Sequence, residues 1–273
     1  MKTVALALGG GGARGLGHIA VFEALDEMGV RPTAIAGASI GSLMGAAYAA
    51  GLSAKDIRHH VIALAHDRGA IFRRLMTARA GRITELWSSG FAGATLVDAE
   101  KFCAQFLPES VPETFEELRI PLIVATSDLY RRREVPIASG PLRPALAASI
   151  ALPGLMRPVV IGERVLIDGG ATNPLPFDRL RGLADVVVAV DISGEPAEER
   201  RDLPNPWEAL VITVLVMANA IIAEKLRHSA PDLMLRPNVG IFRTLDFPQA
   251  SAILRAAEPV KAEVKEKLAK LLS

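Results

Sequence analysis

The sequence contains a single cysteine, Cys103, so an intrachain disulfide is excluded and a reducing compartment fits. It has almost no excess charge. Its 31 Lys and Arg offset 30 Asp and Glu to leave a formal charge of +1, which argues neither for nor against nucleic acid; no nucleic-acid partner is expected. It has no long apolar run. The longest, Leu210 to Ala223, is broken by Thr213 and Asn219 and falls short of the roughly 20 residues of a spanning helix. The run after Met1-Lys2 mimics the start of a secretory signal but stops at Leu8, before glycines and Arg14, too soon for a signal core. A soluble, cytoplasmic protein is therefore expected. Neither a His/Cys cluster nor an EF-hand loop is present, so no metal is expected. There are no repeats, low-complexity segments or linkers, and residues 1–273 are read as one domain.

What is present is a large apolar fraction, 50%, arranged as strands alternating with helices, the pattern of a parallel sheet. Val4 to Leu8 reads as a strand and Leu16 to Met28 as a helix closed by Gly29. Thr33 to Ala36 reads as the next strand, followed by a helix through Leu43, Met44, Ala47 and Tyr48. Ser53 is the N-cap expected for a third helix. Later strands are expected at Pro121 to Thr126, Glu134 to Ala138, a hairpin from Val159 to Ile167, Val186 to Asp191 and Leu233 to Leu235. Helices are expected from Asp98, over Pro144 to Ile150, Glu208 to Arg227, and Gln249 to Leu272.

Two glycine-bounded turns carry the chemistry. Gly9-Gly10-Gly11-Gly12-Ala13-Arg14-Gly15 follows the first strand, and glycine N–H groups at a helix start can hold an oxyanion. Gly37-Ala38-Ser39-Ile40-Gly41 follows the second strand and has the G-x-S-x-G form of a nucleophile elbow, which lifts a serine hydroxyl out of a strained bend. Gly10, Gly12 and Gly15 also satisfy the dinucleotide pattern G-x-G-x-x-G, but the second strand ends in Ala36-Gly37-Ala38-Ser39 without the carboxylate that would hold a ribose. The serine needs a base. Of His18, His59, His60, His66 and His228, only His228 follows the elbow at a triad-like distance, and it sits in a helix tail; His18 reads as a packing or surface residue. Asp168 ends an apolar strand and precedes Gly169 and Gly170, so its carboxylate can stand at the sheet edge where ligands bind.

The glycine run with Arg14, the elbow at Ser39 and the Asp168-Gly169-Gly170 turn occur in the order seen in patatin-like phospholipases, which this chain resembles from about Thr3 to Ser193. Ala148-Ser149-Ile150-Ala151-Leu152-Pro153-Gly154 is similar to the segment ahead of the family's aspartate, and Asp168 to Pro176 to the segment that carries it. Leu155-Met156-Arg157-Pro158 departs from members with an aromatic residue after the Pro-Gly turn. The likeness is to short bacterial members. It implies a three-layer α/β sandwich with a mostly parallel central sheet and helices on both faces. It implies a Ser–Asp dyad of Ser39 as nucleophile and Asp168 as base, with Gly10, Gly11 and Gly12 as the oxyanion hole. Arg14, Gly15, Gly37, Gly41, Gly169, Gly170 and Asn173 would be supporting residues, and no cofactor is implied.

The activity expected is hydrolysis of carboxylic esters of lipids, as by a phospholipase A or lysophospholipase. A soluble carboxylesterase or thioesterase with the same dyad stays open, as do a nucleotide-binding oxidoreductase and a non-catalytic lipid-binding protein. Residues 66–97 read as a flap, with Arg68, Arg73, Arg74, Arg79 and Arg82 among Ile71, Phe72, Leu75, Met76, Trp87 and Phe91. Such a patch suits peripheral contact with the inner membrane surface, or else a cap packed on the core. Oligomeric state is left open.

Overall fold

A computed structural model describes residues 2–66, 97–194, 203 and 206–273. Apart from its two end residues, the flap expected over 66–97 lies outside them. The first half of the chain runs β1 (Val4–Leu8), α1 (His18–Met28), β2 (Ala34–Ala38), α2 (Ile40–Ala49), α3 (Ala54–His66), α4 (Ala99–Phe106), β3 (Leu122–Asp128) and β4 (Arg133–Ile137). The second half runs α5 (Leu142–Ile150), β5 (Val159–Ile161), β6 (Arg164–Asp168), β7 (Val186–Val190), α6 (Pro206–His228), β8 (Leu233–Leu235), α7 (Ala250–Ala257) and α8 (Val260–Leu272).

The eight strands form one sheet in the order β5-β6-β3-β2-β1-β7-β8, with β4 also on β3. Strands β3, β2, β1, β7 and β8 are mutually parallel, while β4, β6 and β5 are added antiparallel. Alternation along the strands gives the sheet two buried faces. Val4, Leu6, Leu8 and Ile35 pack in one core with residues of α1, α2, α5 and α8. Ala5, Ala7, Ala34 and Ala36 face the other way, under Leu175, Phe177, Leu180 and Ile222. Small alanines on that face let the chain after β6, and α6, lie close to the sheet.

Two helices differ from the sequence expectation. Residues Gly12–Gly17 form a 3-10 turn, so α1 proper begins at His18. The C-terminal helix is divided at Glu258 and Pro259, because proline has no N–H to continue the ladder. Ser53 and Asp56 cap α3 reciprocally: the Asp56 N–H donates to Ser53 Oγ at 3.1 Å, and the Ser53 N–H to Asp56 Oδ2 at 3.2 Å. Arg131 and Arg132 lie in the exposed turn between β3 and β4, and Arg133 opens β4.

The pairing of β3 sets up the site. Each strand residue has one partner per edge. Positions Val124 to Asp128 pair with β4, so both β2, on Leu122 to Ala125, and β6, on Thr126 to Asp128, must occupy the opposite edge. β2 runs parallel to β3 and β6 antiparallel, so the two meet head-on. Ala38 is opposite Ala125 and Asp168 is opposite Thr126, the next residue. The residue after Ala38 is Ser39.

Candidate active site

Ser39 stands between β2 and α2 with φ 52° and ψ −128°, a conformation disfavoured for a residue with a side chain. The strain is held by tight packing around it. A Cβ at Gly41 would lie 2.3 Å from the Leu8 carbonyl oxygen, so only glycine lets α2 start this close to β1. The Ser39 carbonyl accepts from the Ser42 N–H at 2.9 Å and the Ser42 hydroxyl at 2.7 Å. Its N–H donates to Ser149 Oγ at 3.0 Å, and that hydroxyl donates onward to the Ala125 carbonyl at 2.7 Å. Ser39 itself is partly exposed, so its hydroxyl is open to an incoming group.

The Ser39 hydroxyl donates to Asp168 Oδ2 at 2.7 Å. The other carboxylate oxygen accepts the Gly170 N–H at 2.7 Å. The Asp168 backbone is fixed as well. Its N–H donates to the Ala151 carbonyl at 3.1 Å, and its carbonyl accepts from the Ser127 hydroxyl at 2.9 Å. Asp168 is only 7% exposed. Burial pushes its carboxyl up to about 6, although the bonds from Gly170 and Ser39 pull the other way. The carboxylate is therefore more basic than an ordinary aspartate yet ionised at neutral pH.

The glycine turn lies beside this pair, for a Cβ on Gly10 would come 3.1 Å from the Ser39 Cβ. Its three candidate N–H groups are not equivalent. The Gly10 N–H donates to the Pro174 carbonyl at 3.0 Å and so is already engaged. Among the described residues, no acceptor takes the N–H of Gly11 or Gly12. Gly12 has φ +62°, and a Cβ there would stand 2.2 Å from the Thr244 carbonyl oxygen. Arg14 is buried below the turn, its Nε donating to the Gly11 carbonyl at 3.3 Å and its guanidinium also bonding the Ser193 carbonyl. A trans peptide points its C=O and N–H in opposite directions, so holding the Gly11 carbonyl aims the Gly12 N–H. Burial lowers the pKa of Arg14 and the charge of Asp191 opposes that shift.

The other expected residues are structural neighbours of these groups. Gly15 lies against Ile40, Gly37 against Ser42, and Gly169 against the Ala125 carbonyl. Asn173 is buried, with its N–H on the Gly169 carbonyl at 2.8 Å. Its Nδ2 donates to Glu134 at 3.0 Å and Asp178 at 3.1 Å, and its Oδ1 accepts from Lys225 of α6. It thus fastens the turn after Asp168 to β4 and α6.

Sequence reasoning gave no role to Ser149, Ser42, Ser127 or Pro174, all of which hold the site. Ser149 had a readable signal, as a lone hydroxyl in the otherwise apolar end of α5. His18 was read as packing or surface; it is wholly buried, with Nε2 3.0 Å from the Gly9 carbonyl. His60 meets the Phe106 carbonyl and His228 meets Glu224, and among the described residues no histidine reaches Ser39. Among the described residues there is also no group of His, Cys, Asp and Glu that could hold a metal ion, and no helix long and apolar enough to cross a membrane.

Several known proteins are similar to this chain in sequence or fold. Over 200 residues the chain is 36% identical to an uncharacterized NTE family protein of Mycobacterium tuberculosis, covering 73% of this chain and 51% of that protein. It is 29% identical over 294 residues to Lysophospholipase NTE1 of Coccidioides immitis, covering 98% of this chain and 18% of that one. The chain spans about half the length of the mycobacterial relative. Among solved structures, VipD from Legionella pneumophila shares the fold, with TM-score 0.53, 16% identity, and coverage of 97% of this chain and 66% of that one. The family model described as patatin-like phospholipase matches residues 6–181, from inside β1 to beyond Asp168, and the chain belongs to that family.

Proposed function

We propose that the chain is a serine acyl hydrolase that cleaves carboxylic esters of lipids through Ser39 and Asp168. The observation that carries this reading is the 2.7 Å bond from the hydroxyl of a strained, partly exposed Ser39 to a buried carboxylate. Family membership supports the lipid substrate class, and the name of the Coccidioides relative, a lysophospholipase, agrees with it. The nucleotide-binding alternative loses support, since β2 ends without a ribose-binding carboxylate and the Gly10 N–H is engaged by Pro174.

In this mechanism Ser39 Oγ attacks the ester carbonyl carbon as its proton passes to Asp168 Oδ2. The carbonyl oxygen becomes an oxyanion and takes hydrogen bonds from the Gly11 and Gly12 N–H groups, worth about 3–4 kcal/mol per donor at the transition state. The tetrahedral centre collapses, the C–O bond to the alcohol breaks, and Asp168 returns the proton to that oxygen. Water, losing a proton to Asp168, then attacks the acyl–Ser39 ester. Its collapse frees the fatty acid and restores the serine hydroxyl. A carboxyl near pKa 6 suits both roles, because the ideal acid–base group titrates near the working pH.

A fluorophosphonate probe should label one site, and Ser39→Ala should abolish both labelling and ester hydrolysis. Wild-type hydrolysis by Ser39→Ala would overturn the proposal. A panel of phospholipids, lysophospholipids, soluble esters and thioesters then tests the substrate class. Preference for short soluble esters or thioesters would leave Ser39 and Asp168 in place but replace the lipid assignment.

A further inference from the structure

We infer that His18 is a positioning residue of the ester-cleaving site, holding the peptide that keys the glycine turn to the Asp168 loop. The inference rests on the reading of Ser39 and Asp168 given above. His18 is the first residue of α1, and its ring is fully buried with Nε2 3.0 Å from the Gly9 carbonyl oxygen. A carbonyl only accepts, so Nε2 carries the hydrogen and Nδ1 is bare. The Gly9 carbonyl and the Gly10 N–H belong to one planar peptide and point opposite ways. That peptide is therefore gripped at both ends, by His18 on its oxygen and by the Pro174 carbonyl on its N–H at 3.0 Å.

The arrangement repeats two residues on, where Arg14 grips the Gly11 carbonyl and so the Gly11–Gly12 peptide. The peptide between them, which carries the Gly11 N–H, is confined by both. His18 thus governs the start of the turn and Arg14 its end, and together they aim the N–H groups left without an acceptor. Pro174 lies six residues beyond Asp168, so the same grip sets the distance between the turn and the loop of the base.

Packing alone does not account for a histidine at this position. Its Nδ1 is buried with no hydrogen-bond partner among the described residues, a cost that an apolar side chain of similar size would avoid. Burial also presses the ring pKa down to about 4, against opposing effects of the Gly9 bond and the Asp191 charge, so the ring is neutral at working pH. What the ring contributes there is one directed N–H.

The test compares His18→Leu, which keeps bulk but no donor, with His18→Gln, whose amide can donate from nearly the same point. Both are assayed on a short soluble ester beside wild type and Ser39→Ala, with thermal melting to follow the fold. His18→Leu should lower kcat about 10- to 100-fold, the scale of an ångström-sized misplacement, and slow fluorophosphonate labelling in parallel, with KM little changed. His18→Gln should regain most of the lost kcat. In the wild type, nitrogen NMR should find the hydrogen on Nε2, a readout that stands even if His18→Leu fails to fold. Wild-type kcat in His18→Leu, no recovery in a folded His18→Gln, a loss confined to KM, or a hydrogen on Nδ1 would each overturn the inference. Hydrolysis surviving in Ser39→Ala would instead defeat the reading of the site itself.

Discussion

The turns that end β1 and β2 look alike in sequence, each a glycine-bounded step from strand to helix, yet they are held in different ways. The elbow after β2 is braced largely from its own helix and from β1, the strand beside it. Ser42 caps the Ser39 carbonyl, and Gly41 is pressed on the Leu8 and Gly9 carbonyls. The turn after β1 is braced from across the chain. Its N–H groups at Gly9, Gly10 and Ala13 donate to the carbonyls of Val190, Pro174 and Thr244. The geometry of Ser39, the proposed nucleophile, is thus set by its own helix and the strand beside it. The glycine turn, the proposed anion site, takes its shape only once β7, the Asp168 loop and the segment before α7 have come together.

The heaviest break falls on the residue that touches the elbow and whose loop holds the other turn. Asp168→Asn removes the proposed base while keeping the shape, and kcat should fall about 10²- to 10⁴-fold. The same variant should be more stable at high pH. The folded carboxyl titrates near 6, above its unfolded value of about 3.9, so the stability this shift confers is complete below about pH 4 and is lost as pH rises through 6. At pH 8 the ionised group costs on the order of 3 kcal/mol, and Asn escapes that cost while still accepting from Gly170 and donating to Ser39. Melting curves at pH 8 and pH 4 check the sign: a gain at pH 8 that vanishes at pH 4 is expected. The wild-type kcat/KM should fall about tenfold per pH unit below 6 as the base is protonated. An activity flat from pH 7 to pH 4 would show that Asp168 is not the base.

The second break separates the two turns directly. Gly41→Ala drives a Cβ to within 2.3 Å of the Leu8 carbonyl in the buried sheet and should cost about 3 kcal/mol or more of stability. Gly12→Ala strains a left-handed residue by about 1–2 kcal/mol and drives a Cβ to 2.2 Å from the carbonyl oxygen of the partly buried Thr244, which also accepts the Ala13 N–H. Its main effect should be misaimed N–H groups and a kcat about 10²-fold lower. Gly11, with φ 161°, is outside the left-handed region, and a Cβ there meets the Ile192 side chain at 3.0 Å and its carbonyl oxygen at 3.2 Å, so Gly11→Ala should be milder than Gly12→Ala. Equal loss of stability in Gly12→Ala and Gly41→Ala would erase the distinction between the turns.

That distinction also explains what could be read before the structure was known. The strand–turn–helix at Ser39 and the Asp168-Gly169-Gly170 turn are legible because the residue types they need, glycines around a serine and after an aspartate, lie within a few residues. The core strands were visible from their apolar runs. The sharing of the Gly10–Gly12 run was not, because the partner of the Gly10 N–H is a backbone carbonyl at Pro174, and backbone partners leave no mark on residue type. The sequence reading of His18 as a packing or surface residue holds in its packing half, since the ring is fully buried, but the ring's partner is not legible for a related reason. Nothing in the residue types around His18 marks the Gly9 backbone carbonyl as its neighbour. Gly10, Gly11 and Gly12 therefore divide: the Gly10 N–H is bonded to the Pro174 carbonyl, and among the described residues the N–H groups of the other two have no acceptor.

The smallest effect asks how local the elbow is. Ser39 has two backbone supports, Ser42 from its own helix and Ser149 from α5, more than a hundred residues away in sequence. Ser42→Ala removes one acceptor-side bond, but the Ser42 N–H still satisfies the Ser39 carbonyl. Ser149→Ala leaves the Ser39 N–H and the Ala125 carbonyl both without that hydroxyl, in a buried place, at a cost of about 1–3 kcal/mol. Because Ala125 stands opposite Ala38 and beside the partner of Asp168, the loss should also loosen the spacing of serine and carboxylate. We expect Ser149→Ala to lower kcat several-fold, at most about tenfold, and to exceed Ser42→Ala in both stability and activity loss. Thermal melts and steady-state kinetics on the pair decide it. If Ser42→Ala proves the more damaging, the elbow is self-sufficient and the contrast with the glycine turn is complete. If Ser149→Ala does, even the local turn takes its final alignment from a distant helix, and the two turns differ in degree rather than in kind.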